Sequence, residues 1–201
     1  MLVLTHGEVE QALPLPDCIE AIDAAMREFS RGNAVVPLRM GLPIPAAKGR
    51  LVVMPGFLGA PRSFGLKIVA KYERPPGDPH GTHVGMVLLF DADSGLPLAM
   101  LEGGSLTEIR TAAATAVATR ALAREDAGVL AVFGTGAQAA RHALALCTVR
   151  PIREVRVWGR RLERAEALLA KLPLPPGVQG RAVADARAAM EGADVLCTTT
   201  S

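Results

Sequence analysis

The pattern of apolar and polar positions predicts a small α+β domain in the first half of the chain. Residues 8–31 place most of their apolar side chains on one helical face, with a break at Pro14 and Pro16. A Pro- and Gly-rich stretch with short apolar runs follows, and a loop is predicted over residues 73–81. Strands are predicted within residues 35–55 and at 63–71, 84–91 and 96–101, the last two joined by the turn Ala92–Gly95.

The pattern changes in the second half of the chain. Ser105-Leu-Thr-Glu108 matches a capping box and predicts an Ala-rich helix that runs to about Ala123. Strands and helices then alternate at a spacing typical of a parallel, doubly wound sheet. We expect strands near 129–133, 154–158, 181–183 and 194–198, and helices near 136–148, 161–171 and 185–191. A boundary near Arg124–Asp126 divides the α/β chain into domains 1–124 and 125–201.

The first of these strands leads into a glycine-rich turn, Gly128-Val-Leu-Ala-Val-Phe-Gly134-Thr-Gly136-Ala-Gln-Ala139. Gly134 allows a sharp turn off the strand, Gly136 lets the backbone approach a pyrophosphate, and Ala139 allows close packing of helix on sheet. The N–H groups at the helix start, including those of Ala137 and Gln138, then face the phosphates. The segment therefore predicts a Rossmann-type NAD(P) site.

The strand at 194–198 crosses the switch point of such a sheet and brings the loop at Thr200 beside the cofactor. A strand left at the end of the sequence would expose an unpaired edge, and further elements normally follow it. We therefore expect the sheet to be incomplete and the sequence to be a fragment. A naturally short domain is the alternative.

Composition excludes several classes of function. The net charge is +2 and aromatic residues are 3% of the 201 residues, which favours neither nucleic-acid binding nor base stacking. The three cysteines are widely spaced and form no metal or redox motif, which indicates reduced thiols in a cytoplasmic protein. We expect no signal peptide, membrane helix or metal site.

Three groups of residues together resemble the ornithine cyclodeaminase/mu-crystallin family. The first is Phe64-Gly-Leu-Lys67-Ile-Val, and the second is Thr82-His83-Val-Gly-Met-Val-Leu-Leu-Phe-Asp91 with Gly95-Leu-Pro-Leu-Ala-Met-Leu-Glu-Gly103. The third is Leu106-Thr-Glu-Ile-Arg110-Thr-Ala-Ala-Ala with Gly134-Thr-Gly-Ala-Gln138. The resemblance extends over essentially the whole chain and is most specific in the third group.

The resemblance implies an N-terminal substrate and dimerisation domain, a nucleotide-binding domain and a homodimer formed through the N-terminal sheets. It also implies one of three functions. The first is reversible hydride transfer between NADP(H) and the α-carbon of a small amino or imino acid, as in ketimine reductases and alanine dehydrogenases. The second is NAD-dependent ornithine cyclodeamination, which produces proline without net redox change. The third is cofactor binding without catalysis, as in the lens protein mu-crystallin.

Three basic residues are candidates for binding the substrate carboxylate. Arg110 is placed in the first turn of its predicted helix, where a cation opposes the dipole unless an anion lies beside it. A solvated arginine is the alternative for Arg110. Without the resemblance, Lys67, which shares a strand face with Lys71, would be read as part of an exposed face. The family pattern gives Arg110 contacts with substrate and cofactor and assigns Lys67 and, less securely, Arg39 to the substrate.

The resemblance also bears on the cofactor. Thr82 and His83 match a cofactor-contacting pair, and His83 is assigned no proton transfer. NAD-using cyclodeaminases of the family have an aspartate where this chain has Gly159. Glu154 begins the second strand and so lies at its wrong end to bind the ribose.

Arg160 and Arg161 either hold a 2′-phosphate or begin a solvated helix. We therefore favour NADP(H), with NAD(H) as the alternative. The family's catalytic aspartate follows the fourth strand of this sheet and lies beyond residue 201, so no catalytic residue is assigned.

Overall fold

The computed structural model describes residues 1–75 and 82–200 and has the expected α/β fold, with one mixed and one parallel sheet. The chain forms two compact units. The first contains residues 1–14 and 23–107, and the second contains residues 15–22 and 108–201. These units are defined by packing, so the functional division at residues 124 and 125 stays a prediction.

The mixed sheet of the first unit has the strand order β1-β7-β6-β5-β4-β2, with β3 also paired to β4. Its strands are β1 (Leu2–Leu4), β2 (Ala34–Val35), β3 (Met40–Ile44), β4 (Gly49–Leu58), β5 (Ser63–Tyr72), β6 (His83–Phe90) and β7 (Pro97–Glu102). Strand β1 runs parallel to β7, and the other pairs are antiparallel. The predicted hairpin is therefore confirmed as β6 and β7, whereas part of the predicted loop at 73–81 lies outside the described residues.

The strand register confirms the predicted faces of β5. Lys67 lies opposite Val87 of β6, and Lys71 lies opposite Arg50 of β4 and His83 of β6. Because directly paired residues share a face, the four basic side chains point to one side of the sheet.

The helical segment at the N-terminus is two helices, and the predicted break at the prolines is confirmed. Helix α1 (His6–Ala12) and helix α2 (Leu15–Ser30) are separated at Pro14, which fixes its own φ and cannot donate a backbone hydrogen bond. Val9 and Ile19 are buried, whereas Phe29 at the end of α2 is 60% exposed. A short 3₁₀ helix at Pro45–Ala47 connects β3 and β4.

The capping box predicted at Ser105 is wrong. Helix α3 (Gly103–Leu122) begins directly after β7, and the Glu102 carboxylate caps it by accepting hydrogen bonds from the N–H of Gly104 and from the N–H and hydroxyl of Ser105, at 2.5, 2.8 and 2.7 Å. Burial raises the pKa of Glu102, but these hydrogen bonds outweigh burial and hold it below its usual value. Arg110 therefore lies about two turns into α3 rather than in its first turn.

The parallel sheet of the second unit confirms the predicted alternation. It contains β8 (Val129–Phe133), α4 (Ala137–Val149), β9 (Glu154–Trp158), α5 (Leu162–Leu169), β10 (Gln179–Val183), α6 (Ala186–Met190) and β11 (Val195–Thr198). The strand order is β10-β9-β8-β11, which places the glycine-rich turn after a central strand. Leu130, Val132, Leu146, Val155 and Val157 form its core. Among the described residues, no helix combines the length and apolar character needed to cross a bilayer.

Candidate functional site

The turn that follows β8 has the backbone geometry that its first glycine was expected to provide. Gly134 has φ +132°, in a region that side-chain-bearing residues rarely adopt. Its N–H donates to the Trp158 carbonyl at 2.9 Å, and a β-carbon placed on it would collide with the Thr199 hydroxyl. Gly134 is therefore required by the fold of the turn itself.

Gly136, in contrast, is not required by the fold of the turn. It precedes α4 as its N-cap with φ −96°, which most residues can adopt, and a β-carbon placed on it would meet nothing within 4 Å. The first N–H groups of a helix have no hydrogen-bond partner within the helix. In α4 these include the N–H groups of Ala137 and Gln138, which lie next to the open space at Gly136. Space, N–H donors and helix dipole together form a cradle for an anion such as a pyrophosphate.

Two side chains in the first turn of α4 also fit a dinucleotide. Ala139 is fully buried, which permits the close helix packing that the motif requires. The Gln138 Oε1 atom is buried and accepts no hydrogen bond from the described part of the chain. A buried acceptor without a hydrogen bond lowers the stability of the fold, and a hydrogen-bond donor on a bound ligand would satisfy it. On this test, the residues of the turn fit a nucleotide cofactor.

The carboxyl end of β11 borders the same turn. The Thr199 N–H and hydroxyl both donate to the Phe133 carbonyl, at 2.7 and 3.0 Å, and Thr200 follows with its side chain exposed. The ends of β8 and β11 therefore meet at the switch point of the sheet, where ligands bind in open α/β folds.

The end of β9 lacks the acidic residue that commonly binds an NAD ribose. A β-carbon at Gly159 would lie 2.6 Å from the Thr135 methyl group, so an aspartate there would require Thr135 to move. Arg160 and Arg161 follow, both exposed, and Arg161 is the N-cap of α5. Within the described residues neither arginine has an ion-pair partner.

Glu154 is excluded as the ribose ligand by its position, as predicted. It begins β9, and its two carboxylate oxygens each accept a hydrogen bond from Arg156 at 3.0 Å. These hydrogen bonds lower the pKa of Glu154. Its carboxylate therefore serves an ion pair at the opposite end of the strand.

The candidate substrate residues occupy different environments. Lys67 is half-buried and donates to the Thr107 hydroxyl, which donates in turn to the Gly103 carbonyl. Arg39 lies exposed between β2 and β3, with no hydrogen bond or ion pair to another described residue. Arg110 is exposed on α3 in the part of that helix assigned to the second unit. Thr107 was missed by the sequence reasoning, because its contact with Lys67 is not local.

Thr82 and His83 are joined by a hydrogen bond between the Thr82 hydroxyl and His83 Nδ1 at 2.8 Å. Partial burial lowers the pKa of His83, and the nearby Lys71 and Lys67 lower it further. The imidazole is thus neutral at physiological pH and lies among cations.

Comparison with known proteins agrees with the motifs. The model of the ornithine cyclodeaminase/mu-crystallin family matches residues 1–201. The chain belongs to this family. A Δ¹-pyrroline-2-carboxylate reductase of Bacillus cereus is 34% identical over 201 residues, covering 100% of this chain and 62% of the relative. The chain thus spans less than two thirds of the length of that relative.

Solved structures of the family have the same fold. The Δ¹-pyrroline-2-carboxylate reductase of Thermococcus litoralis in complex with NADH and L-proline matches with a TM-score of 0.90 and 32% identity, covering 100% of this chain and 62% of that one. An archaeal alanine dehydrogenase dimer with bound NAD matches with a TM-score of 0.89 and 31% identity, covering 100% and 60%.

Proposed function

We propose that the protein is an NADP(H)-dependent oxidoreductase that transfers hydride between the cofactor and the α-carbon of a small amino or imino acid. The observation that carries this proposal is the open cradle at Gly136, in a chain whose relatives include a reductase and a dehydrogenase of such substrates. Ornithine cyclodeamination remains the alternative within the family, and tight NAD binding would favour it.

The proposed cofactor site lies along the carboxyl edge of the parallel sheet. Its bound nicotinamide would supply the hydride chemistry, while the protein supplies binding, orientation and electrostatics. Gly134 and Gly136 shape the pyrophosphate cradle, and Gly159, Arg160 and Arg161 lie at the end of the neighbouring strand. Further proposed cofactor contacts are Ala137, Gln138, Thr200, Thr82, His83 and Arg110.

The proposed substrate site uses Lys67, Arg39 and Arg110 for the carboxylate of the amino or imino acid. Lys67 supports this role best, because its ammonium is held at a fixed position by Thr107. A fixed cation orients a small anion with little further loss of entropy. No residue of this chain is proposed as the proton donor.

Changing both Arg160 and Arg161 to alanine should weaken NADPH binding by roughly 100-fold and leave NADH binding within about threefold. Two arginines on a 2′-phosphate contribute about 3 kcal/mol together, and NADH has no such phosphate. Parallel titrations of the protein with NADPH and NADH, followed by cofactor fluorescence or by quenching of Trp158, measure this difference.

Arg187 is the matched control for this pair. It is also exposed and lies just after the next strand, in α6, so Arg187→Ala removes a similar charge from the same sheet without touching the proposed phosphate site. A wild-type preference for NADH would contradict the assignment of Arg160 and Arg161 and would bring the cyclodeaminase forward. Binding of neither cofactor would contradict the oxidoreductase as a whole.

We propose that the protein is a homodimer joined through one face of the mixed sheet, the face that points away from the Lys67 side chain. On this face β3 to β6 carry only apolar and aromatic side chains, and none of them is fully buried. Its largest exposed members are Met40, Leu42, Phe57, Val84 and Met86, at 60, 61, 37, 42 and 40%. A contiguous apolar surface of this kind is typical of a subunit interface, and a related structure is described as a dimer.

Leu42→Glu should convert this dimer to a monomer, because it places a charge on the apolar face at a side chain that is 61% exposed in the single chain. Leu122→Glu is the control, since Leu122 is 86% exposed and belongs to the second unit. Sedimentation equilibrium distinguishes the states, and a monomeric wild-type protein would contradict the proposal.

We also place the protein in the cytoplasm, on the ground that its three cysteines are free thiols.

A further inference from the structure

Four basic side chains share one face of the mixed sheet, and three of them lie in a single row across adjacent strands. Arg50, Lys71 and His83 are directly opposite one another on β4, β5 and β6. The strand residues on this face include no aspartate or glutamate. We call Arg50, Lys71 and His83 the basic row.

The basic row is unfavourable for the fold by itself. Directly opposed side chains have β-carbons about 5 Å apart, and like charges at that separation are destabilising. Within the described residues Arg50 and Lys71 form no ion pair that would relieve the repulsion. Besides burial, the charges that lower the pKa of His83 are those of Lys71 and Lys67. An anion bound along the row would remove this cost.

The distance between Lys67 and Lys71 of the basic row indicates the size of that anion. Lys67 and Lys71 are four residues apart on one strand, which is about 13 Å between α-carbons. Thr107 holds the ammonium of Lys67, but the flexible stem of the exposed Lys71 can lean along the strand and bring its own ammonium closer to Lys67 than this. Between them lie Val52 and Val69, directly opposite each other, which provide a small apolar floor. The arrangement fits a short carbon chain with an anionic group at each end.

The first turn of α3 borders this floor. Gly103 packs directly on Gly85 of β6, where a β-carbon would come within 2.7 Å of the Gly85 backbone, and Thr107 in the same turn holds Lys67. The floor therefore has a fixed cation at one end and the exposed basic row at the other.

We infer that the basic row is a second anion subsite, which binds the distal carboxylate of a dicarboxylic amino or imino acid whose first carboxylate lies at Lys67. This inference rests on the proposed function only for the role of Lys67. It restricts the substrate class from small amino and imino acids in general to those with an acidic side chain.

Binding of succinate and butyrate to the protein tests the inference without cofactor or turnover. Both acids have four carbons, and only succinate carries the second carboxylate. At low ionic strength we expect calorimetry to give a dissociation constant at least tenfold lower for succinate. Combining Arg50→Gln with Lys71→Gln should reduce the affinity for succinate to that for butyrate. Lys171→Gln, an exposed lysine of the second unit, should leave the difference unchanged.

The pKa of His83, followed by NMR, gives a readout that general loss of charge would not reproduce. Succinate should raise it, because a bound carboxylate offsets the effect of Lys71 and Lys67, whereas butyrate held at Lys67 should have a smaller effect. The double variant should melt at or above the wild-type temperature, since it removes a like-charge pair, so lost binding would not reflect unfolding.

Three results would overturn the inference. Equal affinities for the two acids, or failure of both to bind, would remove the second subsite. A preference for succinate that survives in the double variant would place the second carboxylate elsewhere. If the double variant bound nicotinamide mononucleotide more weakly than the wild type but bound succinate equally well, the basic row would be assigned to a cofactor phosphate. Failure of the protein to bind NADPH would contradict the proposed function alone.

Discussion

Gly136→Asp should abolish dinucleotide binding while making the protein slightly more stable. The N-cap position favours aspartate, whose carboxylate accepts hydrogen bonds from the first turn of α4 and interacts favourably with the helix dipole. The new side chain enters open space, so no residue must move. The same carboxylate occupies the pyrophosphate cradle and repels the phosphates. We expect the affinity for NADPH to fall by at least roughly 100-fold.

Fluorescence titration and urea denaturation measure the two effects separately. The free energy of unfolding should rise by about 0.5 kcal/mol. Gly134→Ala is the matched control within the same turn, because its β-carbon would collide with Thr199 and its φ is unfavourable for alanine, so it should lose stability and binding together. Full NADPH affinity in Gly136→Asp would show that the cofactor does not use this cradle.

Arg150→Met should cause the largest loss of stability, with the free energy of unfolding falling by about 2–4 kcal/mol. The Arg150 guanidinium donates to the carbonyls of Arg120, Ala123 and Arg124 at 2.6, 2.8 and 2.8 Å, around the C-terminus of α3, and to that of Val149. The last carbonyls of a helix lack partners within that helix, and a cation at a helix C-terminus also interacts favourably with the helix dipole.

Equilibrium unfolding in urea measures this loss, provided that the slope of the transition is unchanged. Arg150→Lys should recover only part of the stability, because a lysine keeps the charge but cannot contact several carbonyls in the guanidinium geometry. Arg27→Met is the surface control, since it breaks only an exposed ion pair with Asp23 and should cost less than about 0.5 kcal/mol. If Arg150→Met also cost less than about 0.5 kcal/mol, water would be replacing the hydrogen bonds of the guanidinium.

The sequence predicted the parallel sheet well, because its signal is local. The first strand is a short apolar run, strands and helices alternate along the chain, and Gly134 and Ala139 mark the first turn at fixed positions. The faces of β5 were predicted for the same reason, since alternation along one strand places Lys67 and Lys71 together.

The start of α3 was mispredicted because two capping signals compete there. Ser105 and Glu108 have the spacing of a capping box, yet Glu102 ends β7 with its carboxylate already next to the N–H groups of Gly104 and Ser105. The better cap was supplied by the preceding strand. The position of Arg110 was wrong as a consequence, and with it the argument that placed an anion at the start of its helix.

Contacts between strands and between other elements could not be predicted from the sequence. The row formed by Arg50, Lys71 and His83 depends on the register of three strands, and the contact of Lys67 with Thr107 joins residues 40 positions apart. Arg150 likewise binds carbonyls 26 to 30 residues away. Such partners are selected by the folded topology, which no local pattern specifies.

The pairing of β8 with β11 has a consequence for synthesis of the chain. Asp194 accepts hydrogen bonds from the N–H groups of Gly128 and Val129 at 2.8 and 2.9 Å, and β11 then covers one edge of β8. On the ribosome β8 emerges more than 60 residues before these partners, so at about 5–20 residues per second its apolar edge is open for several seconds. During this interval the open edge of β8 can pair with a strand of another chain, which makes the nascent chain prone to aggregate.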